Sequence, residues 1–172
     1  MIDKIECKYG IASKEINARW RQIEVKDSLN LIKIKKLLDE RGWLSSEIIL
    51  EQGNQAIFLV IQHSNLETQL KYLPLMRDAV KKGNANSRSL ALLEDRVALR
   101  QGKKQIYGSQ LGRDKVTKVY YLRPLEDPDN VDKRRNEVGL GTIQDYISNW
   151  GLQWNVEECK IRLPEIEAMD KK

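Results

Sequence analysis

The sequence is poor in the residues that build most metal and redox sites: one histidine and two cysteines stand among its 172 positions. A lone imidazole cannot make a typical zinc site, and Cys7 and Cys159 lie near opposite ends without CxxC-type spacing. This argues against a transition-metal centre and leaves an all-carboxylate magnesium or calcium site open. Two cysteines are also too few for a disulfide scaffold. Free thiols are the expectation for a cytosolic chain, with one bridge tying the termini as the alternative. The longest apolar run, residues 56–61, falls far short of the ~18–20 residues a membrane span needs. The N-terminus MIDKIECKYG has no apolar core and does not read as a signal peptide. The expectation is a soluble chain with no membrane span, cytoplasmic as written and extracytoplasmic if an export signal is missing from it. The sequence has no P-loop, no GxSxG and no dinucleotide fingerprint, because Gly139-Leu140-Gly141 lacks a third glycine and a preceding strand. No cofactor is implied.

Basic residues outnumber acidic ones by five. The excess is local. Arg100, Lys103, Lys104, Arg113, Lys115, Lys118 and Arg123 fall in one window opposed only by Asp114, a net of +6 that leaves −1 for the rest. With Tyr120 and Tyr121 beside it, such a window could neutralise phosphates and stack on bases. The abundance of Asp and Glu elsewhere, and the lack of any nucleic-acid motif, argue against nucleic acid as the partner.

Ile11, Ile16 and Trp20 suit a short N-terminal helix within a 1–26 extension. Asp27 or Ser28 then offers an N-cap for a helix over 28–41, with Leu31, Ile34 and Leu38 on one face and Gly42 closing it. Gln52-Gly53-Asn54 reads as a break before a second helix over 55–63, capped by Asn54. Asn65 caps a third helix with the stripe Leu66, Leu70, Leu73, Met76 and Val80, kinked at Pro74 and ended by Gly83. Ser87 caps a fourth over 88–101, closed by Gly102. Residues 105–111 and 119–125 are rich in Tyr, Val, Ile and Leu and flank a turn-like stretch, so they read as strands of a β-hairpin spanning about 104–125. Short helices follow over 131–138 and 143–150. A last one starts near Asn155 and is interrupted at Pro164, before a frayed tail over 164–172. The fold class is mainly α: one compact helical domain over 27–163 with an inserted hairpin.

The fourth helix is apolar on every side, which predicts burial, yet carries Glu94, Asp95 and Arg96 in its middle. Charges so placed must pair, bind something or line a cleft. A structural ion-pair network is the plainer reading, and acid/base work by Glu94 or Asp95 the sharper one. His63 ends the most apolar segment, as a helix-capping group or a general base. In the strand QIYGSQ, alternation puts Gln105, Tyr107 and Ser109 on one face, and Gly108 suggests a bulge or a close ligand approach. Arg134 and Arg135 suit a carboxylate or phosphate, and pairing with Glu126, Asp127 or Asp132 is the duller alternative. The acidic run Asp127–Asp132 fails as a calcium loop and reads as a helix N-terminus.

Three segments, GNQAIFLVIQHS, LALLEDRVALRQGKKQIYGSQL and PLEDPDNVDKRRNEVGLGTIQDYI, resemble a bacterial domain-of-unknown-function family over about residues 27–154. The resemblance rests on the His after the apolar helix, the EDR helix, the QxYG(S/T)Q strand and the EDPxxVDxRR stretch. Ser109 stands where Thr is usual. It implies a single small domain, often behind an export signal or lipoprotein leader, and supplies no activity. It also places Glu126 and Asp127 in the shared pattern.

The resulting expectation is a small enzyme of hydrolase type acting on a polar or anionic substrate. Its catalytic candidates are His63, Glu94, Asp95 and Tyr107. Arg96, Gln105, Gln110, Arg134 and Arg135 are the substrate-binding candidates, with no metal site. The alternative is a non-enzymatic binding module whose basic hairpin takes an anionic small molecule or polymer. A purely structural ion-pair network is the third reading.

Overall fold

A computed structural model of the protein describes residues 14–170, so Cys7 and Ile11 lie outside the described residues. Helix α1 (Lys14–Arg41) runs unbroken through the start expected at residue 28. Ser28 does not cap it: its Oγ donates back to the Glu24 carbonyl at 2.8 Å, a bond that only a helix interior offers. Gly42, at φ +70°, ends the helix as expected, its N–H donating to the Leu38 carbonyl. Trp43 then turns inward, and its indole N–H donates to Asn54 Oδ1 at 2.7 Å.

That bond changes the role expected of Asn54. It sits inside α2 (Ser46–His63), which starts eight residues before the expected break at 54 and is interrupted only at Leu50, at φ 61°. Asn54 is thus a buried bracket between Trp43 and the Leu44 carbonyl, not a cap. Helix α3 (Leu66–Lys81) begins as expected, Asn65 accepting the Thr68 N–H at 2.9 Å. It continues through Pro74, because Pro74 and Leu70, whose carbonyl loses its helical donor, both face outward. Leu70 is therefore off the buried face, where Gln69 and Tyr72 join Leu73 and Met76. Helix α4 (Ser87–Arg100) is capped by Asn86, which accepts the N–H groups of Arg88 and Ser89. Ser87, expected as the cap, instead donates to the Val138 carbonyl.

No residue from 89 to 99 is exposed, as all-round apolarity requires. One core joins α1 to α4 around Leu38, Trp43, Ile57, Ile61, Met76 and Leu93. A smaller second core holds Leu122, Leu125, Val131, Ile143 and Ile147. The second core belongs to the hairpin, β1 (Leu111–Arg113) antiparallel to β2 (Tyr120–Leu122) with Leu111 opposite Leu122, and to α5 (Val131–Glu137) and α6 (Ile143–Ser148). Helix α7 (Val156–Asp170) passes through Pro164 with no break; both Pro164 and Lys160, whose carbonyl is freed, are exposed. It buries Ile166, and its Asp170 grips Arg123 through two bonds of 2.5 and 2.8 Å.

The hairpin tip is tied by Asp114, which accepts the N–H groups of Val116 and Thr117 and the Thr117 hydroxyl. The backbone N–H and hydroxyl of Thr117 hold its carboxyl below the ordinary value of 3.8. A depressed folded pKa gives a contribution present above the unfolded value and lost as pH falls through the folded one. The Thr117 amide signal in an NMR titration is expected to move with a midpoint below 3.8, and a midpoint above it would contradict these bonds.

Candidate functional site

The charged middle of α4 faces three different surroundings, because consecutive helical residues point ~100° apart. Asp95 is fully enclosed. Its Oδ1 accepts the N–H groups of Ile106 and Tyr107 at 2.7 and 2.9 Å, and its Oδ2 accepts that of Ser109 at 2.9 Å. Burial pushes its carboxyl above the usual aspartate range, opposed by those same N–H groups. The carboxylate is a plug around which residues 105–110 are wound. This is why that stretch is not the strand the sequence suggests: the N–H groups of Ile106, Tyr107 and Ser109 point at Asp95 and cannot join a ladder, and only Gln105 makes an isolated bridge, to Leu125.

Gly108 sits at the turn of this winding with φ +67°, and an added Cβ would stand 2.7 Å from Ile143 Cδ1. Gly108→Ala combines left-handed strain with overpacking. It is expected to cost about 2–4 kcal/mol in urea unfolding.

The other motif residues hold the same loop from outside. Arg134 Nε donates to the Ile106 carbonyl at 2.9 Å, and its Nη2 to those of Glu126 and Asp127. Its expected pairing with Asp127 is present, Nη1 to Oδ2 at 3.1 Å. Arg135, buried, donates to the carbonyls of Tyr107 at 2.7 Å and Gly141 at 2.6 Å and lies 5.2 Å from the Tyr146 ring centre. Gln105, also buried, bridges the hairpin base: its Nε2 donates to the carbonyls of Gln110 and Arg123, and its Oε1 accepts the Gln110 N–H. Arg134, Arg135 and Gln105 thus bond backbone, where the sequence reading had them hold substrate. Glu94 turns the other way. It meets Arg77 at 2.7 Å and the Tyr107 hydroxyl at 3.5 Å.

Arg96 faces an open cleft of about 380 Å³ bounded by α2, α4, the 105–110 loop, the hairpin and α6. His63, Gln62, Ser109, Gln110, Tyr146 and Trp150 line it with Arg96. The guanidinium is partly buried, and among the described residues no acceptor bonds it; its Nε is enclosed and unpartnered. Burial and the charges of Arg100 and Arg123 push its pKa down, so its surroundings disfavour the very cation they hold. Gln62, 4% exposed, is the complement: among the described residues its Oε1 has no donor. Gln69 Oε1 is also unpartnered, but Gln69 does not line the cleft. Buried polar atoms in native proteins are nearly always satisfied, and an orphan donor and an orphan acceptor on one cleft mark a place where a ligand or water bonds.

Of the residues expected to form one site, the cleft takes in His63, Arg96 and Gln110. Glu94, Asp95, Tyr107, Gln105, Arg134 and Arg135 are not among its lining. Gln62, Tyr146 and Trp150 escaped the sequence reading, although Tyr146 and Trp150 stand four apart in a segment expected to be helical, a spacing at which rings meet; α6 ends at Ser148 and Trp150 follows in the turn. Their ring centres are 5.0 Å apart. The basic window is partly neutralised, Lys104 by Glu167 and Arg123 by Asp170. Among the described residues no group of three His, Cys, Asp or Glu side chains could hold a metal, and no helix is long and apolar enough to cross a membrane.

Fold and site together define a small helical domain whose hairpin base is wound on an internal carboxylate and whose cleft presents an unpaired guanidinium. The chain belongs to a family of unknown function, DUF6624, whose profile matches residues 11–154. No curated protein and no solved structure matches it.

Proposed function

We propose that the protein is a binding domain for a small anionic or strongly polar molecule, held in the cleft with Arg96 as its anion-binding group. The observation that carries this is the guanidinium without an acceptor. A partly buried cation left unpaired costs the fold free energy, which an incoming carboxylate or phosphate recovers with charge-assisted hydrogen bonds. The cleft volume suits a metabolite-sized ligand.

Hydrolase chemistry would need a second proton-transferring group beside His63. The carboxylates foreseen for that task are enclosed, as Asp95 is, or turned to Arg77, as Glu94 is, so the geometry favours binding over acid/base catalysis. It also favours the cleft over the hairpin, where two of the cations already have carboxylate partners.

Titration of the ¹⁵N-labelled protein with acetate and with inorganic phosphate tests this. Saturable shifts are expected in the Ser109 and Gln110 amides, weaker at high salt and roughly ten- to hundredfold weaker in Arg96→Gln. Shifts that do not saturate, or that persist unchanged in Arg96→Gln, contradict the proposal.

A further inference from the structure

We infer that the cleft's ligand is a planar aromatic ring carrying a carboxylate or phosphate, the anion on Arg96 and the ring against Trp150 and Tyr120; this rests on the anion-binding reading above. The cleft lining combines two chemistries. One is polar: the guanidinium and the orphan Gln62 carbonyl oxygen. The other is aromatic: Tyr120 from β2, Tyr146 from α6 and Trp150 from the turn that follows α6.

These rings are fixed in advance. The Tyr146 hydroxyl donates to the Ser109 carbonyl at 2.6 Å, and Arg135 lies on the ring at 5.2 Å. Trp150 leans on Tyr146 at 5.0 Å and 56°. Arg113 lies 5.3 Å from the centre of the Tyr120 ring. Despite these contacts Trp150, part of the cleft lining, stays 37% exposed. An immobilised aromatic wall loses little rotamer freedom when it receives a flat ligand, and ring faces attract in offset or tilted arrangements. An aliphatic anion would satisfy Arg96 and leave that wall wet. A ring bearing an N–H or O–H would also give Gln62 Oε1 the donor it lacks.

The experiment compares matched probes that differ only in the ring: acetate with benzoate, and inorganic phosphate with phenyl phosphate. Binding is read from the Trp150 indole N–H cross-peak, assigned with Trp150→Phe, and from the Ser109 and Gln110 amides. Each ring-bearing probe is expected to bind at least about tenfold tighter than its partner and to move the indole peak. Trp150→Ala should cut that advantage several-fold, weakening benzoate and phenyl phosphate more than acetate and phosphate, and Arg96→Gln should weaken all four probes. Equal affinity within each pair, or a ring advantage undiminished in Trp150→Ala, overturns the aromatic assignment and leaves the anion site standing. Failure of all four probes to bind overturns both. Benzoate and phenyl phosphate binding that ignores Arg96→Gln places the ring elsewhere and overturns the inference alone.

Discussion

Asp95→Ala is expected to lower unfolding free energy by about 3–5 kcal/mol, the summed loss when several enclosed N–H groups are left without their charged acceptor. Three backbone N–H groups would be left enclosed without an acceptor, each costing its desolvation, and the loop wound on them would lose its axle. Asp95→Asn should recover part of the loss. One carbonyl oxygen can still accept from Ile106 and Tyr107, but its amide nitrogen then opposes the Ser109 N–H, donor against donor. Urea unfolding followed by circular dichroism measures all three proteins. An Asp95→Ala protein within about 0.5 kcal/mol of wild type would show that the carboxylate does not organise the loop. Because Ser109 and Gln110 belong both to the loop and to the cleft wall, either variant should also weaken ligand binding.

Arg135 acts on the same loop from the opposite side, and Arg135→Ala is expected to cost about 3–4 kcal/mol. The carbonyls of Tyr107 and Gly141 lose their donor, and the space under the Tyr146 ring empties. Arg135→Lys should recover little. A single ammonium cannot present Nε–H and Nη1–H to two carbonyls in different segments. Asp95 takes the N–H and Arg135 the C=O of the same residue, Tyr107, so the two losses should not add. The double variant is expected to be more stable than the sum of the singles implies, with a coupling of about 1 kcal/mol or more. Additive losses would mean that the two charges hold the loop independently.

Much of the helical frame was legible because it rests on local chemistry. Asn65 caps, Gly42, Gly83 and Gly102 end helices at positive φ, and the apolar girdle of α4 predicts its enclosure. What misled was chemistry supplied from far along the chain. Residues 105–110 have strand-like composition, and Asp95 beneath them removes the N–H groups of Ile106, Tyr107 and Ser109 from a ladder, as the Gln105 side chain removes that of Gln110. Asn54 looks like a cap until the Trp43 indole claims it. The motif residues stood out as a set, but spacing cannot tell a charge that faces backbone from one that faces a cleft. Asp95 and Arg96 are neighbours in sequence and point into different worlds: one is closed by three donors, the other has no acceptor among the described residues.

That contrast yields the most direct test. A charge kept for a ligand should be dispensable to the fold. Arg96→Met keeps the unbranched apolar stem of the side chain out to the position of Nε and removes a partly buried cation that has no partner among the described residues. Its urea-unfolding free energy, measured against wild type without ligand, is expected to equal or exceed the wild-type value, since replacing an uncompensated buried charge by an apolar side chain is neutral or stabilising. A loss of more than about 1 kcal/mol would contradict this, and would make Arg96 one more member of the scaffold that Asp95, Arg134 and Arg135 build.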